Sequence, residues 1–500
     1  MKKSLIILQM LIVLISCCSV DPDKKANELY VETSQYASQM LSEKVSYSKA
    51  YNSYKNAIAN IEIILSKYPS ANLSVKLLSG ETRIVGYTFE KFRAIDSTLK
   101  LLARAEKDIL SYALLSIDHD DYSYDNELFN ISLEYINKGE LIIVYDILEK
   151  LQDSFYSAYL LSFMSRKLIE DGKKSDANET LLKALDRSKN IENYSIKIRV
   201  LCDIASSLES IGEHAKSNDL LKEALALIPK IEDENYINYS LSNIAMSFCL
   251  KKDFSKALSI CDKIDDNSIK AFSLIDIADT CTVIGRQKEI DHILSKTLEI
   301  SKNINNTDKS LILANLSKIY NKLGNSEKCI EQLDMSLKTA YEIDKPKYRC
   351  WRLNYIAEIY NEFKYIDNSK KILKESYKIA QEIQEKDDLI NILIDIAGRY
   401  SNIGDRDKAI ELIENAKTLS KELESEFYKD SNLSEIVGIF ARLGKIKDAL
   451  RITNLISDSD YKINALVNIS RESSDSDKQK IEDEMYDFIH TEYPINQYWK

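Results

Sequence analysis

Glycine and proline are scarce in this chain, with 11 and 5 residues among 500. Sandwiches and barrels need such residues at frequent turns, so their scarcity argues against an all-β architecture. The sequence therefore predicts an all-α protein. Its length suffices for several ordinary domains or for one extended array.

A basic surface is also missing. The chain has 68 lysine and arginine residues against 79 acidic ones, which gives a formal net charge of −11. Nucleic-acid binders usually carry a basic stripe that neutralises phosphates, and beyond residues 1–3 the sequence has no dense basic run. We therefore expect no nucleic-acid partner.

Residues that carry most catalytic chemistry are sparse. No histidine has a second histidine three or four residues away, as a metal site on a helix would need. The four histidines are His119, His214, His292 and His490. The sequence also has no nucleophile elbow, phosphate-binding loop or dinucleotide fingerprint. We therefore predict that the chain is not an enzyme and holds neither a cofactor nor a metal ion.

An acidic segment, residues 118–125, could attract a cation. Counted from Asp118, its fifth, sixth and twelfth positions are Tyr122, Ser123 and Phe129, which do not fit a calcium loop of the EF-hand type. We favour a solvated loop and place a domain boundary there.

The first 20 residues have the pattern of an export signal. A positive start precedes an apolar run over residues 5–15, which is too short to span a bilayer but suits a signal peptide. The run leads into Leu-Ile-Ser-Cys, residues 14–17, which resembles the lipobox of bacterial lipoproteins. In that family the cysteine sulfur is acylated and the chain is cut just before it. The resemblance implies a lipid on Cys17 and a protein anchored at the cell envelope, on a periplasmic or surface-facing side.

Two alternatives to this assignment remain. Cys18 is a competing candidate, but it would put Cys17 at the small position before the cut, which Ser16 suits better. The other alternative is a plain secretory signal with two incidental cysteines. With lipidation at Cys17, residues 1–16 are the signal peptide and residues 17–25 a polar tether.

A repeat of about forty residues runs through the body of the chain. Seven glycines recur at one phase and two lysines fill the gaps: Gly139, Gly172, Gly212, Lys252, Gly285, Gly324, Lys364, Gly404 and Gly444. Each of these turn residues is preceded by a bulky residue at eight positions, a mostly small residue at seven positions and a bulky residue at four positions. This spacing places the three residues on one face of a helix. The spacing predicts a helix, a left-handed turn and a second helix in each unit. No unit can bury its apolar stripe alone.

This pattern resembles the tetratricopeptide repeat. One unit contains Ile204, Ala205, Leu208, Gly212, Ala224 and Pro229 in the family's order, with Ser217 in place of an alanine. The resemblance covers about nine units, residues 124–475, and implies an α–α superhelix, or solenoid. The family's usual unit has about 34 residues, so the surplus here indicates either a longer second helix or a longer loop.

The segments outside the array are less regular. Residues 26–123 are predicted to be helical and repeat-like. Residues 476–500 are predicted to form a polar capping helix, over 476–490, and a tail.

Six further cysteines invite a disulfide interpretation in an exported chain. They are Cys202, Cys249, Cys261, Cys281, Cys329 and Cys350. Because Cys281 and Cys329 fall on core positions of the repeat, we favour buried thiols that pack as small apolar residues. Disulfides remain the alternative.

In the tetratricopeptide family, ligands usually lie in a concave groove lined by the first helix of each unit. The resemblance implies these groove-binding residues: Arg166, Arg199, Tyr239, Phe272, Lys318, Asn321, Trp351, Asn354, Glu358 and Asn391. The aromatic side chains would anchor a peptide and the polar ones would hold its backbone or carboxylates. Alternatively, the aromatic side chains pack against neighbouring helices. The family's clamp for chaperone tails, which needs Lys and Asn four residues apart, is absent.

The sequence thus predicts a membrane-anchored scaffold that binds a protein or peptide partner in its groove at the bacterial cell envelope. One alternative is a non-catalytic surface antigen or spacer. Another is a small-ligand receptor or an enzyme, which would need a closed pocket with convergent polar groups.

Overall fold

A computed structural model describes residues 21–42, 45–117 and 122–473, and also residues 481–483, 485, 486, 489 and 490. These residues form α-helices and no strand. Cys17, with the rest of the export signal, lies outside the described residues, as does the first half of the acidic segment, residues 118–121. Among the described helices, none is long and apolar enough to cross a membrane.

The chain divides into two compact units, one of residues 1–116 with 475–500 and one of residues 117–474. In the first unit the helices are α1 Pro22–Met40, α2 Tyr47–Lys67, α3 Asn72–Leu78, α4 Phe89–Ala94, α5 Asp96–Ala105 and α6 Ile109–Leu115. The buried carboxylate of Glu106 accepts hydrogen bonds from the backbone N–H groups of Tyr47, at 2.6 Å, and Ser48, at 3.0 Å. It thereby satisfies backbone donors at the start of α2. The Nε2 atom of His490 lies 2.8 Å from the same carboxylate.

The second unit, which we call the array, alternates two sets of helices. The A helices are α7 Tyr124–Asn137, α9 Ser154–Glu170, α11 Tyr194–Ile211, α13 Glu234–Leu250, α15 Asn267–Ile284, α17 Asn306–Lys322, α19 Pro346–Glu362, α21 Lys386–Ile403, α23 Glu426–Arg442 and α25 Ser459–Glu472. The B helices are α8 Leu141–Leu148, α10 Lys174–Ser188, α12 His214–Leu227, α14 Phe254–Cys261, α16 Gln287–Ser301, α18 Ser326–Tyr341, α20 Ile366–Ala380, α22 Arg406–Ser420 and α24 Ile446–Thr453. Each B helix packs against the A helix before it. The array is therefore a series of tetratricopeptide-like helix-turn-helix repeats.

The predicted apolar stripe forms the core of this series. In every repeat the residues eight, seven and four positions before the turn are buried, and so is the residue five positions after it. The predicted left-handed turns are confirmed as well. All seven glycines of the repeat have positive φ, and so do the two gap-filling lysines, Lys252 at 64° and Lys364 at 67°. The six cysteines are buried and free, as the favoured interpretation predicts.

The repeats come in two lengths. Six B helices have 14 to 16 residues, and the other three, α8, α14 and α24, have 8. The surplus over a usual tetratricopeptide unit therefore lies in helix B, which decides between the two alternatives left by the sequence.

The A helices close into a cycle. Each contacts the next from α7 to α25, and α25 contacts α7 in turn. At this closure, Arg471 of α25 donates from Nη2 and Nε to Glu134 Oε1 of α7, at 2.7 and 2.9 Å. Ser459 Oγ lies 3.1 Å from Glu127 Oε1. The sequence predicts a solenoid with a capped end, whereas the last A helix of the array packs on the first.

Candidate binding surface on the inner face of the array

The closed cycle has an inner and an outer face. Neighbouring A helices are in contact throughout, whereas successive B helices make at most marginal contact with one another. The A helices must therefore form the smaller, inner circle. Their residues 13, 9 and 6 positions before the turn are mostly exposed or half-buried, while the positions between them are in the core. We call the side chains at these three positions the inner face.

Polar side chains join neighbouring A helices along the inner face. Tyr355 Oη donates to Asn315 Oδ1 at 2.6 Å. Glu358 forms an ion pair with Arg399 on the next A helix, and Lys318 pairs with Glu362 at 3.1 Å. The inner face thus pairs several of its own polar and charged groups. It differs most from this pattern on α9 and α11.

Two guanidinium groups on α9 and α11 lie on aromatic rings. Arg166 sits 4.0 Å from the ring centre of Phe163, and Arg199 sits 4.8 Å from that of Tyr159. Arg199 Nη2 also donates to Tyr159 Oη at 2.6 Å. A guanidinium stacked on a ring keeps its in-plane N–H groups available to an acceptor. The Nε and Nη2 atoms of Arg166 are shielded from solvent and have no hydrogen-bond partner within the part of the chain that the structure describes.

The rings belong to a larger aromatic cluster. Phe129 stacks on Tyr159 with 5.7 Å between ring centres, and Phe155 stacks on the same ring at 5.4 Å. Phe163 meets Tyr159 edge-on at 4.9 Å. The cluster holds the tyrosine in place, so the arginine platforms are rigid.

Asp203 is an acid whose carboxyl group is influenced by the charges of both arginines. Burial raises the pKa of its carboxyl group, and the charges of Arg166 and Arg199 act in the opposite direction. The two guanidinium groups are fully charged at neutral pH, so even an ionised Asp203 leaves one positive charge without a counter-charge. The arrangement is suited to receive an acidic group from a ligand.

Other carboxyl groups at the position nine before the turn share a confined environment. Reduced hydration raises the pKa of both Asp276 and Glu435, although both side chains reach solvent. Nearby Asp395 and Asp387 raise that of Glu435 further. A carboxyl group that is wet but surrounded by protein is expected on the inside of a closed cycle.

Asparagines occupy the same position in four other A helices. They are Asn130, Asn243, Asn315 and Asn468. All four are half-buried, and each side chain offers both a donor and an acceptor. The inner face therefore combines amides, carboxyl groups, hydroxyl groups and aromatic rings with few aliphatic side chains.

Eight of the ten predicted groove residues lie on this face, whereas Asn321, three positions before its turn, and Asn354 do not. Tyr239 and Trp351 are exposed, with 56% and 36% of their surface accessible, and Phe272 is half-buried. Asn391 Nδ2 donates to Asp387 Oδ2 at 3.3 Å, and Asn321 is exposed near the end of α17. Lys318 and Glu358 take part in the ion pairs described above.

Asn354 differs from the other predicted residues. It is fully buried, and its Nδ2 donates to Asp395 Oδ2 at 2.9 Å. It stands ten positions before the turn, one position off the inner face, so it positions Asp395 instead of meeting a ligand. The neighbouring residue Tyr355, nine positions before the turn, is the one that lies on the inner face.

The set of groove residues predicted from the sequence omits the position nine before the turn. Asp203, Phe163 and Tyr355 all occupy that position. The signal is present in the sequence, because positions 13, 9 and 6 are spaced by four and three residues on one helix face.

One rim of the cycle is aromatic. Sixteen positions before the turn, at the start of the A helices, five of the ten residues are tyrosines: Tyr156, Tyr236, Tyr348, Tyr428 and Tyr461. Phe427, exposed over 61% of its surface, contacts Tyr428 and Tyr461. Within the described residues, no group of three or more metal-ligating side chains comes together.

Comparison with known proteins gives only distant structural likenesses. No family model and no curated protein matches the chain. Kinesin light chain TPR-like repeats of Podosopora anserina are 15% identical, cover 40% of this chain and 96% of their own, and have a TM-score of 0.28. The apo quorum sensor NprR from B. thuringiensis is 16% identical, covers 68% of this chain and 99% of its own, and has a TM-score of 0.25. Yeast Tom70 is 12% identical, covers 95% of this chain and 99% of its own, and has a TM-score of 0.27.

Proposed function

We propose that this chain is a lipid-anchored repeat protein of the bacterial cell envelope that binds a protein or peptide on the inner face of its array. The arginine pair Arg166 and Arg199 is the observation that carries the proposal. Both guanidinium groups are held on aromatic rings and lack an acidic partner within hydrogen-bonding distance among the described residues. The shielded donors of Arg166 cost free energy while they lack an acceptor, and its side chain would recover it by turning to meet an acidic ligand group.

The surrounding chemistry supports a polypeptide ligand. Amide side chains on the inner face pair with backbone N–H and C=O groups, and exposed Tyr239 and Trp351 offer amphipathic anchors. The proposed location rests on the lipobox resemblance at Cys17. Acyl chains on that sulfur would hold the array at a membrane that it does not cross.

The test is chemical cross-linking in living cells, followed by solubilisation in mild detergent and identification of co-purifying proteins. We expect one stoichiometric protein with the unaltered chain, and its loss when Arg166→Glu and Arg199→Glu are combined. A control reverses two exposed arginines of B helices, Arg187→Glu and Arg451→Glu, and should retain the partner. If the same proteins appear with every variant, or none appears with any, the array is a spacer or surface antigen.

The anchor is tested separately. Cys17→Ser should release the protein from the membrane fraction and abolish metabolic labelling with a fatty acid. Cys18→Ser should leave both unchanged. The reverse pattern would assign the lipid to Cys18, and labelling of neither would indicate a plain secretory signal.

A further inference from the structure

The closure of the array determines how a ligand can reach the inner face. In an open solenoid, a groove is accessible from the side along its whole length. Here every A helix contacts two others, and α25 is bonded to α7 through Arg471 and Glu134. The Glu134 side chain is only 6% exposed, so this carboxylate is buried at the closure, whereas the Arg471 side chain is 54% exposed. Within the array, only the two ends of the cycle lead to the inner face.

The number of A helices sets the width of the enclosed space. Ten helices whose axes lie about 10 Å apart form a circle of about 30 Å between opposite axes. Side chains extend about 5 Å from each axis, which leaves a bore of about 20 Å. A folded domain of about 100 residues has a radius of gyration of about 13 Å and is too wide for this bore. An extended chain fits with room for its side chains.

The lining favours a polypeptide over other linear polymers. Acidic side chains without a basic partner among the described residues, such as Asp276 and Glu435, lie on the inner face, and their charge repels the phosphates of a nucleic acid. The amide groups of Asn130 and Asn243 have no hydrogen-bond partner among the described residues. An extended polypeptide offers an N–H and a C=O group at each residue, which such amides can pair.

We propose that the array encloses a linear, unfolded polypeptide segment, and that folded bodies reach the inner face only when α25 separates from α7. This inference rests on the proposed function and specifies the form of its ligand. It also predicts how a ligand between two folded domains is captured: the Arg471–Glu134 contact has to open and close around it.

The test measures access to the inner face with probes of two shapes. One cysteine is introduced at Asn243, halfway along α13 on the inner face, and in a second variant at Glu223, which is exposed on the B helix α12. Each variant is treated with a maleimide on the end of an unstructured Gly/Ser peptide of about 40 residues. Each is also treated with the same maleimide on a rigid, short linker to a folded domain of about 100 residues or more. The parent chain reports any labelling of its own cysteines.

We expect the unstructured peptide to label both positions at rates within about threefold. The folded probe should label Asn243→Cys at least about tenfold more slowly than Glu223→Cys, because its diameter exceeds that of the bore. Arg471→Glu places like charges at the closure and should remove most of this difference. The double exchange Glu134→Arg with Arg471→Glu should restore it. This double variant also controls for misfolding, because it contains the Arg471→Glu substitution and should still exclude the folded probe.

The outcomes separate this inference from the proposed function. Equal labelling of both positions by the folded probe in the otherwise unaltered array would overturn the enclosure, whatever co-purifies from cells. Exclusion of both probes from Asn243→Cys would overturn the linear-segment ligand, because the space would be closed to every polypeptide. Shielding from the folded probe alone supports the inference, even if no partner depends on Arg166 and Arg199, in which case the proposed function alone fails.

Discussion

Two lysines of the array have a backbone conformation that glycine adopts in the other turns. Lys252 and Lys364 have φ values of 64° and 67°. For an L-residue with a Cβ atom, the left-handed conformation costs roughly 1–2 kcal/mol. At the corresponding Gly212 and Gly324, a Cβ atom would meet nothing within 4 Å, so the cost at these turns lies in the backbone alone.

Lys364→Gly is therefore expected to stabilise the array by about 1 kcal/mol, because glycine adopts this conformation without strain. The measurement is the free energy of unfolding from urea titration. The matched control is Lys371→Gly in α20, where the helical conformation should make the same exchange destabilising by about 1 kcal/mol. If Lys364→Gly and Lys371→Gly both destabilise the array, the backbone explanation is wrong.

Asp203 makes stability depend on pH. Burial raises the pKa of its carboxyl group in the folded array, so the folded state binds more protons than the unfolded state above pH of about 4. Its contribution to stability is thus present at low pH and is lost as pH rises through the folded pKa. We expect Asp203→Asn to flatten the fall in melting temperature between pH 4 and neutrality. Asp219→Asn, at an exposed position of α12, controls for the loss of one charge. A profile unchanged by Asp203→Asn alone would exclude this carboxyl group as the cause.

At the scale of helices, the short repeats share a hydrogen-bonding side chain that the long repeats lack. Fourteen positions before their turns stand Asp125, Asn238 and Asp430, whose side chains accept hydrogen bonds from backbone N–H groups in the loop before the next A helix. When helix B has only 8 residues, this loop passes the start of helix A, and its N–H groups need an acceptor. In the long repeats that position holds Ala158, Ile198, Ala271, Ser310, Cys350 and Ile390. An Asp or Asn at this position therefore marks a short helix B.

Asp430→Ala should destabilise the array by about 2 kcal/mol, because the N–H groups of Ser457 and Asp458 lose the buried carboxylate that accepts from them. Asp430→Asn keeps an acceptor oxygen and should cost less than half as much. Both values are measured by chemical unfolding. An equal loss in the two variants would show that charge, and not hydrogen bonding, is what matters at this position.

At the scale of the whole array, closure removes the free ends of a repeat protein. In an open array each repeat contacts only its neighbours, and the terminal repeats are the least supported. Here α7 lies between α9 and α25, as any A helix in the middle lies between two others. The apolar side chains of α25, among them Ile463 and Leu466, are buried.

Amide hydrogen exchange should therefore show α7 and α25 as well protected as α15 in the middle of the array. Arg471→Glu should raise the exchange rate in α7 and α25 by at least about tenfold and leave α15 unchanged, since opening exposes only the two ends. The exchange of both charges, Glu134→Arg with Arg471→Glu, should restore protection. Faster exchange in α7 and α25 than in α15 in the unaltered protein would show that the cycle is open in solution.

By itself the sequence determined the helical repeat. Spacing of the turn residues predicted the A and B helices, the left-handed turns at Lys252 and Lys364 and the buried stripe, because each depends on residues within one repeat. The groove residues were predicted by projecting one helix face. Arg166 and Arg199 lie on the inner face and Asn354 is buried, while the binding roles stay predictions. A displacement of one residue along a helix turns a side chain by about 100°, which decides between the inner face and the core.

Only the tertiary structure decided that the array closes. Arg471 and Glu134 are 337 positions apart, and nothing in either repeat marks them as partners. Whether an array closes depends on small rotations between neighbouring repeats, which add up over ten A helices and are set by how individual side chains pack. A local sequence pattern determines the structure of each repeat but not the total rotation along the array. That total rotation decides whether the array closes around the inner face.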